Sequence, residues 1–234
     1  MCLITPFGSH LTDVVLIASV NNNAILNHVW RFKLKTRTSE ENTTRVWDLW
    51  VRVFHWSLVL FVLILFITEG DFLSIHSYAG YTVLLLVGFR IIWGFIGSYY
   101  ARFSSFITTP KEAIKYLKEE LAGDAKRYIG HNPAGAIMIF ALLITLIFTG
   151  FTGMATVATE GKGPLANTFI ASFSGEVMGE IHEIFTSILL TLIILHIVGV
   201  IFSSLAEEEN LVRAMFTGKK KKEMNYAEIK NNEG

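Results

Sequence analysis

Four long apolar runs limit what this chain can fold into more than any other feature. Crossing a bilayer takes roughly 20 apolar residues to cover about 30 Å of hydrocarbon. The runs from about Val46 to Thr68, Ile75 to Ser98, Asn132 to Thr159 and Gly179 to Ala206 reach or approach that length. The first carries Asp48 and Arg52 near its start, and the second is interrupted only by His76 and Arg90. The third holds no charged residue, and the fourth opens with Glu180, His182 and Glu183 and keeps His196 deep inside. Sheets cannot leave edges in lipid, and none of these runs alternates as a barrel strand does. The predicted fold class is therefore all-α: an integral membrane four-helix bundle.

Loop charge sets the expected orientation. Arg31, Lys33, Lys35, Arg37 and Arg45 precede the first span, Arg102, Lys111, Lys115, Lys118, Lys126 and Arg127 separate the second from the third, and Arg213 with Lys219–Lys222 follow the fourth. The connection Glu69–Ser74 has no Lys or Arg, and the one between spans three and four has only Lys162. By the positive-inside rule both termini and the middle loop are expected to be cytoplasmic. The net charge of zero hides this segregation and says nothing about partners; the apolar runs make membrane lipid a partner, and no nucleic-acid partner is expected.

Three regions are expected: an N-terminal extension over 1–45, a membrane domain over 46–206 and a basic tail over 207–234. In the extension, the apolar run Leu11–Val20 is too short to span, contains Asp13 and lacks a convincing secretory cleavage site. Between spans two and three, Ala113, Ile114, Leu117 and Leu121 recur at helical spacing among lysines and glutamates within Pro110–Gly123. That pattern suggests a short amphipathic helix at the membrane surface, with a solvated helix-turn as the alternative.

Ionisable groups are costly inside a membrane, so histidines placed regularly in spans need a common reason. His182 and His196 are 14 residues apart. On an α-helix that is nearly four turns and roughly 21 Å of rise, which puts both rings on one side near opposite membrane surfaces. His76, in the first turn of span two, matches the depth of His182. His55, about nine residues into span one, matches His196, about ten residues before the end of span four. The expected pairs are His76 with His182 on the outer side and His55 with His196 on the inner side.

Two non-covalent b haems, each clamped by one pair, suit this arrangement, because neutral imidazole ligates iron while an apolar pocket wraps the porphyrin. Zinc or copper would want further ligands, and a di-iron bundle would want Glu-x-x-His motifs. The single cysteine, Cys2, excludes Cys-x-x-Cys-His attachment, so coordination and packing must hold the cofactor. Gly80 and Gly199 place small residues beside His76 and His196, where a flat macrocycle or a close helix can lie. Arg52 and Arg90 suit haem propionates, with snorkelling to headgroups as the alternative. His131, in Gly130-His131-Asn132-Pro133, reads as part of the entry to span three, where Asn132 caps the helix; contact with a quinone or a propionate is the second reading. Trp47, Trp50, Trp56, Trp93, Tyr99 and Tyr100 read as an interfacial aromatic belt. Glu176, Glu180 and Glu183 form an acidic entrance beside the outer pair that can steer a basic partner.

Taken together, Val46-Trp47-Asp48, Arg52-Val53-Phe54-His55-Trp56, His76-Ser77-Tyr78-Ala79-Gly80-Tyr81 and Phe89-Arg90-Ile91-Ile92-Trp93-Gly94-Phe95 resemble the bacterial cytochrome b561 family. Gly130-His131-Asn132-Pro133, His182-Glu183, Leu195-His196 and the closing Leu211–Gly218 segment extend the similarity over about residues 45–218. The wider group includes the b-type cytochrome subunits of nickel-iron hydrogenases. The resemblance implies that His55, His76, His182 and His196 bind two haems that carry electrons between quinone or quinol and a redox partner. A c-type cytochrome or a hydrogenase-like subunit is the expected partner. Three classes follow: a quinone-linked oxidoreductase, an electron-transfer subunit, or, with no haem bound, a transporter or membrane anchor.

Overall fold

The computed structural model describes residues 43–70 and 72–221. The expectations for the extension before Thr43 and for the tail beyond Lys221 lie outside those residues. The chain divides into two units, Thr44–Lys220 and a smaller one comprising Met1–Thr43 with Lys221–Gly234. Among the described residues, six α-helices belong to the first. In chain order they are α1 (Leu49–Ile67), α2 (Leu73–Ile96), α3 (Pro110–Ala122), α4 (Pro133–Thr159), α5 (Gly175–Ala206) and α6 (Leu211–Thr217). Two short strands, β1 (Thr43–Arg45) and β2 (Lys219–Lys221), pair with each other.

Helix starts follow capping chemistry. Asp48 accepts the Val51 N–H at 2.9 Å and opens α1, while Asn132 accepts the Gly135 N–H at 2.7 Å just before Pro133 opens α4. Each side-chain oxygen satisfies a backbone donor that has no partner inside the helix. Around α3 the capping box is complete, since Thr109 accepts the Glu112 N–H while the Glu112 carboxylate accepts the Thr109 N–H. That Glu112 carboxyl is held below the ordinary carboxylate value by the Thr109 backbone N–H and by the Thr108 and Thr109 hydroxyls. α5 starts at Gly175, four residues before the Gly179 expected from hydropathy, because the Ser174 cap extends the helix through polar sequence that hydropathy alone excludes.

Four helices, α1, α2, α4 and α5, are long and apolar enough to cross a membrane. α1 packs on α2, α2 on α4, and α4 on α5. Phe54, Val83, Val87, Leu143, Leu146 and Leu189 form the buried core, to which all four spans contribute. On α2 the buried stripe Ala79, Val83, Val87, Arg90 and Gly94 follows the 3.6-residue period of one helix face. Gly150 is required in α4, since a Cβ there would come within 2.5 Å of the Leu84 side chain where α2 and α4 cross.

The end of the membrane domain is more structured than its lysine run suggests. Lys220 is buried, with its ammonium 3.1 Å from the Tyr128 carbonyl and 3.3 Å from the Glu207 carboxylate. Glu209 pairs with Arg127. Gly218, in the left-handed region at φ 78°, closes α6, and its carbonyl accepts the N–H groups of Val46 and Trp47. A Cβ at Gly218 would come within 2.5 Å of the Trp47 carbonyl, so both the backbone angle and the close approach call for glycine.

Candidate functional site

The histidines meet as pairs between spans. His76 on α2 and His182 on α5 lie with ring centres 6.3 Å apart and planes at 87°. Each directs Nδ1 to a main-chain carbonyl on a neighbouring span: His76 to Leu65 at 3.1 Å, and His182 to Thr149 at 3.0 Å. Thr152 Oγ1 lies 3.2 Å from the same His182 nitrogen while its own proton goes to the Phe148 or Thr149 carbonyl. The carbonyl partners require Nδ1 to carry the hydrogen in both rings, leaving each Nε2 lone pair free. Glu69 and Glu183 are the carboxylates that act electrostatically on His182.

His55 on α1 and His196 on α5 lie close enough to interact electrostatically. His55 Nδ1 is buried without a hydrogen-bond partner, and the ring meets Trp56 edge-on at 5.1 Å. Neither α1 with α5 nor α2 with α5 is among the closely packed helix pairs of the described residues. The histidines therefore face each other across gaps. Leu189, buried in the apolar core and seven residues from both His182 and His196, separates the two levels. Among the described residues no group of three or more His, Cys, Asp and Glu gathers to form a many-ligand metal site.

The two glycines beside these pairs lie open. A Cβ at Gly80 would meet only Leu65 Cδ2, at 3.9 Å, and one at Gly199 nothing within 4 Å, so no close helix accounts for either. Gly153 is different: a Cβ there would lie 3.0 Å from His182 Cε1, so its absence lets the ring settle against α4. Thr149, Thr152 and Gly153 escaped the sequence reading because a span without charge gives no sign of which small polar residues a histidine will meet. The Thr-Gly-Phe-Thr-Gly run at 149–153 is the available signal, small and hydroxylic residues being what membrane helices use to approach and bond across.

The arginines divide. Arg90 is buried rather than snorkelling: one guanidinium nitrogen donates to the Ala101 carbonyl at 3.1 Å, the group lies 4.8 Å from the Phe103 ring centre, and Nη1 is buried without a partner. Asp48 attracts it electrostatically. Arg52 donates to the Phe216 carbonyl at the end of α6, with its Nε buried and unpartnered. Around Asp48 burial favours the neutral carboxyl, yet hydrogen bonds from Ser98, the Val51 N–H, Trp93 and the Trp50 N–H hold it below the ordinary carboxylate value.

The expected aromatic belt is partly a packing cluster. Trp50 and Tyr99 are exposed, but Trp47 is buried with Val46 and Ala214, and Trp56 stacks on Phe216 at 4.1 Å. Trp47 and Phe106 each lie 4.5 Å from the His131 ring. His131 Nδ1 is buried with no partner, and burial, with the Arg90 and Lys220 charges adding to it, pulls the imidazole down to about 3. His131 is thus neutral at physiological pH, and capping falls to Asn132 alone.

Comparison with known proteins agrees with this architecture. The family model described as prokaryotic cytochrome b561 matches residues 46–218. A probable Ni/Fe-hydrogenase B-type cytochrome subunit of Azotobacter vinelandii is 28% identical over 158 residues, covering 54% of this chain and 64% of that protein. The chain thus spans somewhat under two thirds of that relative's length. Proteins of the same description from Rhizobium leguminosarum bv. viciae and Rhodobacter capsulatus are 22% identical over 220 residues and 25% over 211; the matches cover 77% and 74% of this chain and 90% and 79% of those relatives. No solved structure matches. The chain is a multi-pass membrane protein and belongs to the prokaryotic cytochrome b561 family.

Proposed function

We propose that the chain holds two b haems, one between His76 and His182 and one between His55 and His196, and relays electrons between the quinone pool and a redox partner. The observation that carries this reading is the outer pair. The ring centres of His76 and His182, 6.3 Å apart, leave room for one metal ion that both imidazoles could reach at about 2 Å. Their Nδ1 atoms are engaged by carbonyls, the arrangement that fixes tautomer and ring direction in metal-ligating histidines. Open space beside Gly80 and Gly199, and the gaps between the helices bearing each pair, suit a flat macrocycle. The inner side offers unpartnered donors, Arg90 Nη1 and Arg52 Nε, for propionate carboxylates.

When bound, haem supplies a one-electron ferric–ferrous couple. The chain's residues do the rest. His76 with His182, and His55 with His196, would each hold one haem, and a haem held by two imidazoles would carry an electron rather than activate oxygen. Leu189 and the surrounding core keep water from the space between levels, while His182 and His196 on one helix fix a separation of roughly 21 Å along its axis. The acidic groups Glu69 and Glu183 beside the outer pair favour a basic docking surface.

The redox partner supported best is a hydrogenase-like enzyme, because the relatives bear that description; a c-type cytochrome is the second. Loop charge supports placement in the bacterial inner membrane with both termini cytoplasmic. Single substitutions His55→Ala and His182→Ala, read by haem quantitation and redox potentiometry on purified protein, test the ligand assignment. Each is expected to remove one haem and one redox component and to retain the other. A double variant that keeps both haems contradicts it.

A further inference from the structure

The helix α3 carries a feature that electron relay does not use. Its protein-facing row is Ala113, Tyr116 and Glu120. The Asn132 side-chain amide donates to the Tyr116 hydroxyl at 3.2 Å, and Ser203 donates to the Glu120 carboxylate at 2.7 Å. Asn132 caps the start of α4 and Ser203 lies in the last turn of α5, so α3 bridges the ends of two membrane-spanning helices.

One residue further on from each member of the buried row stand Ile114, Leu117 and Leu121, about 100° round the helix. They are 55%, 45% and 73% exposed, and Ile107, just before the helix, is 72% exposed. Continuing round, Lys115 and Lys118 with Lys111 form a basic row beside the apolar one, and Glu112 and Glu119 occupy the far side. The order of the four faces is protein, apolar, basic, acidic. An anionic membrane surface calls for that order, since apolar side chains sink below the headgroups, lysine stems reach up to phosphate, and carboxylates stay in water.

We propose that α3 is an anionic-lipid-binding interfacial helix, with Ile107, Ile114, Leu117 and Leu121 seated among acyl chains and Lys111, Lys115 and Lys118 gathering acidic phospholipid headgroups around the bundle. Two observations commit this face to lipid rather than to a protein partner. The buried row ties α3 to the ends of two membrane-spanning helices, which holds the apolar face at the level where those spans leave the membrane, and the lysine row, in which Lys115 also lies 3.6 Å from Glu119, complements lipid phosphate. The juxtaposition does not depend on haem.

The test uses the full chain with Cys2→Ser and Leu121→Cys, labelled with bimane and reconstituted into nanodiscs of phosphatidylcholine and phosphatidylglycerol. Brominated acyl chains are carried on one lipid or the other at equal mole fraction. A blue-shifted bimane is expected, quenched by both brominated lipids and more strongly when the bromine is on phosphatidylglycerol. Lys111→Gln, Lys115→Gln and Lys118→Gln together should equalise the two. Ile114→Cys gives a second reporter on the same face, and Glu119→Cys should remain unquenched. A bimane at 121 and 114 that neither lipid quenches means that water or protein covers the face and overturns the proposal. Equal quenching by the two lipids with the lysines intact overturns its anionic selectivity.

Discussion

At the level of single residues, the outer histidine pair is governed by what sits behind each ring. His182 is pinned from α4 by the Thr149 carbonyl and Thr152 hydroxyl, and a Cβ at Gly153 would lie 3.0 Å from the ring. Gly153→Leu therefore has to drive the imidazole off its anchors, and loss of one haem with retention of the other is expected by pyridine haemochrome assay. Thr152→Val is gentler. It removes one acceptor from Nδ1–H and keeps the Thr149 carbonyl, so the ring loses basicity without losing direction. An upward shift in one midpoint potential with full haem content is expected in a redox titration. These residues were illegible in sequence, whereas the histidines were plain, because an imidazole in a span is conspicuous while its carbonyl partner appears only when two helices meet.

His131 provides a residue-level prediction in pH. Its folded value, lowered by burial to about 3, lies below the ordinary histidine value of 6.5. Between those limits the unfolded chain binds more protons than the folded one, so folded stability falls as pH drops below about 6.5 and is fully present above it. Each pH unit in the window costs at most about 1.4 kcal/mol for one full proton. Thermal unfolding monitored from pH 7.5 to 5 should show a declining midpoint in wild type and a flatter profile in His131→Phe, which retains the ring between Trp47 and Phe106. An equally steep decline in both would assign the acid sensitivity elsewhere.

Among elements, α2 combines packing and site most tightly. A Cβ on Gly94 would overlap the Phe103 ring, the same ring that covers Arg90. Gly94→Ala is expected to destabilise the fold by about 1–3 kcal/mol, the usual cost of overpacking. A differential unfolding measurement in detergent would register it as a lowered midpoint. Most of these elements were readable in sequence: four spans from hydropathy, α3 from its 3.6-residue period, and the start of α4 from Asn132-Pro133. The exceptions share one cause. α6, the β1–β2 pair and the burial of Lys220 depend on contacts between segments far apart in the chain, and a lysine run read in isolation looks like solvated charge. Trp47 and Trp56 looked interfacial for the same reason, since composition locates an aromatic near a span end without revealing the partner it stacks on.

For the whole molecule, the four spans bring His76 to His182 and His55 near His196, with the apolar core around Leu189 between the two levels. Depth matching made this legible: 14 residues on one helix fix the ruler, and the entry directions of the first two spans assign the partners. The wider spacing between α5 and the helices that carry His55 and His76 could not be read from sequence, because hydropathy records which residues avoid water and not how far apart the helices stand. The measurement that tests the account most directly is a reduced-minus-oxidised absorption spectrum of the purified wild-type chain, expressed in a haem-sufficient host, with haem and protein quantified together. The account predicts a b-type spectrum and two haems per chain. One haem per chain, or colourless protein, would contradict it.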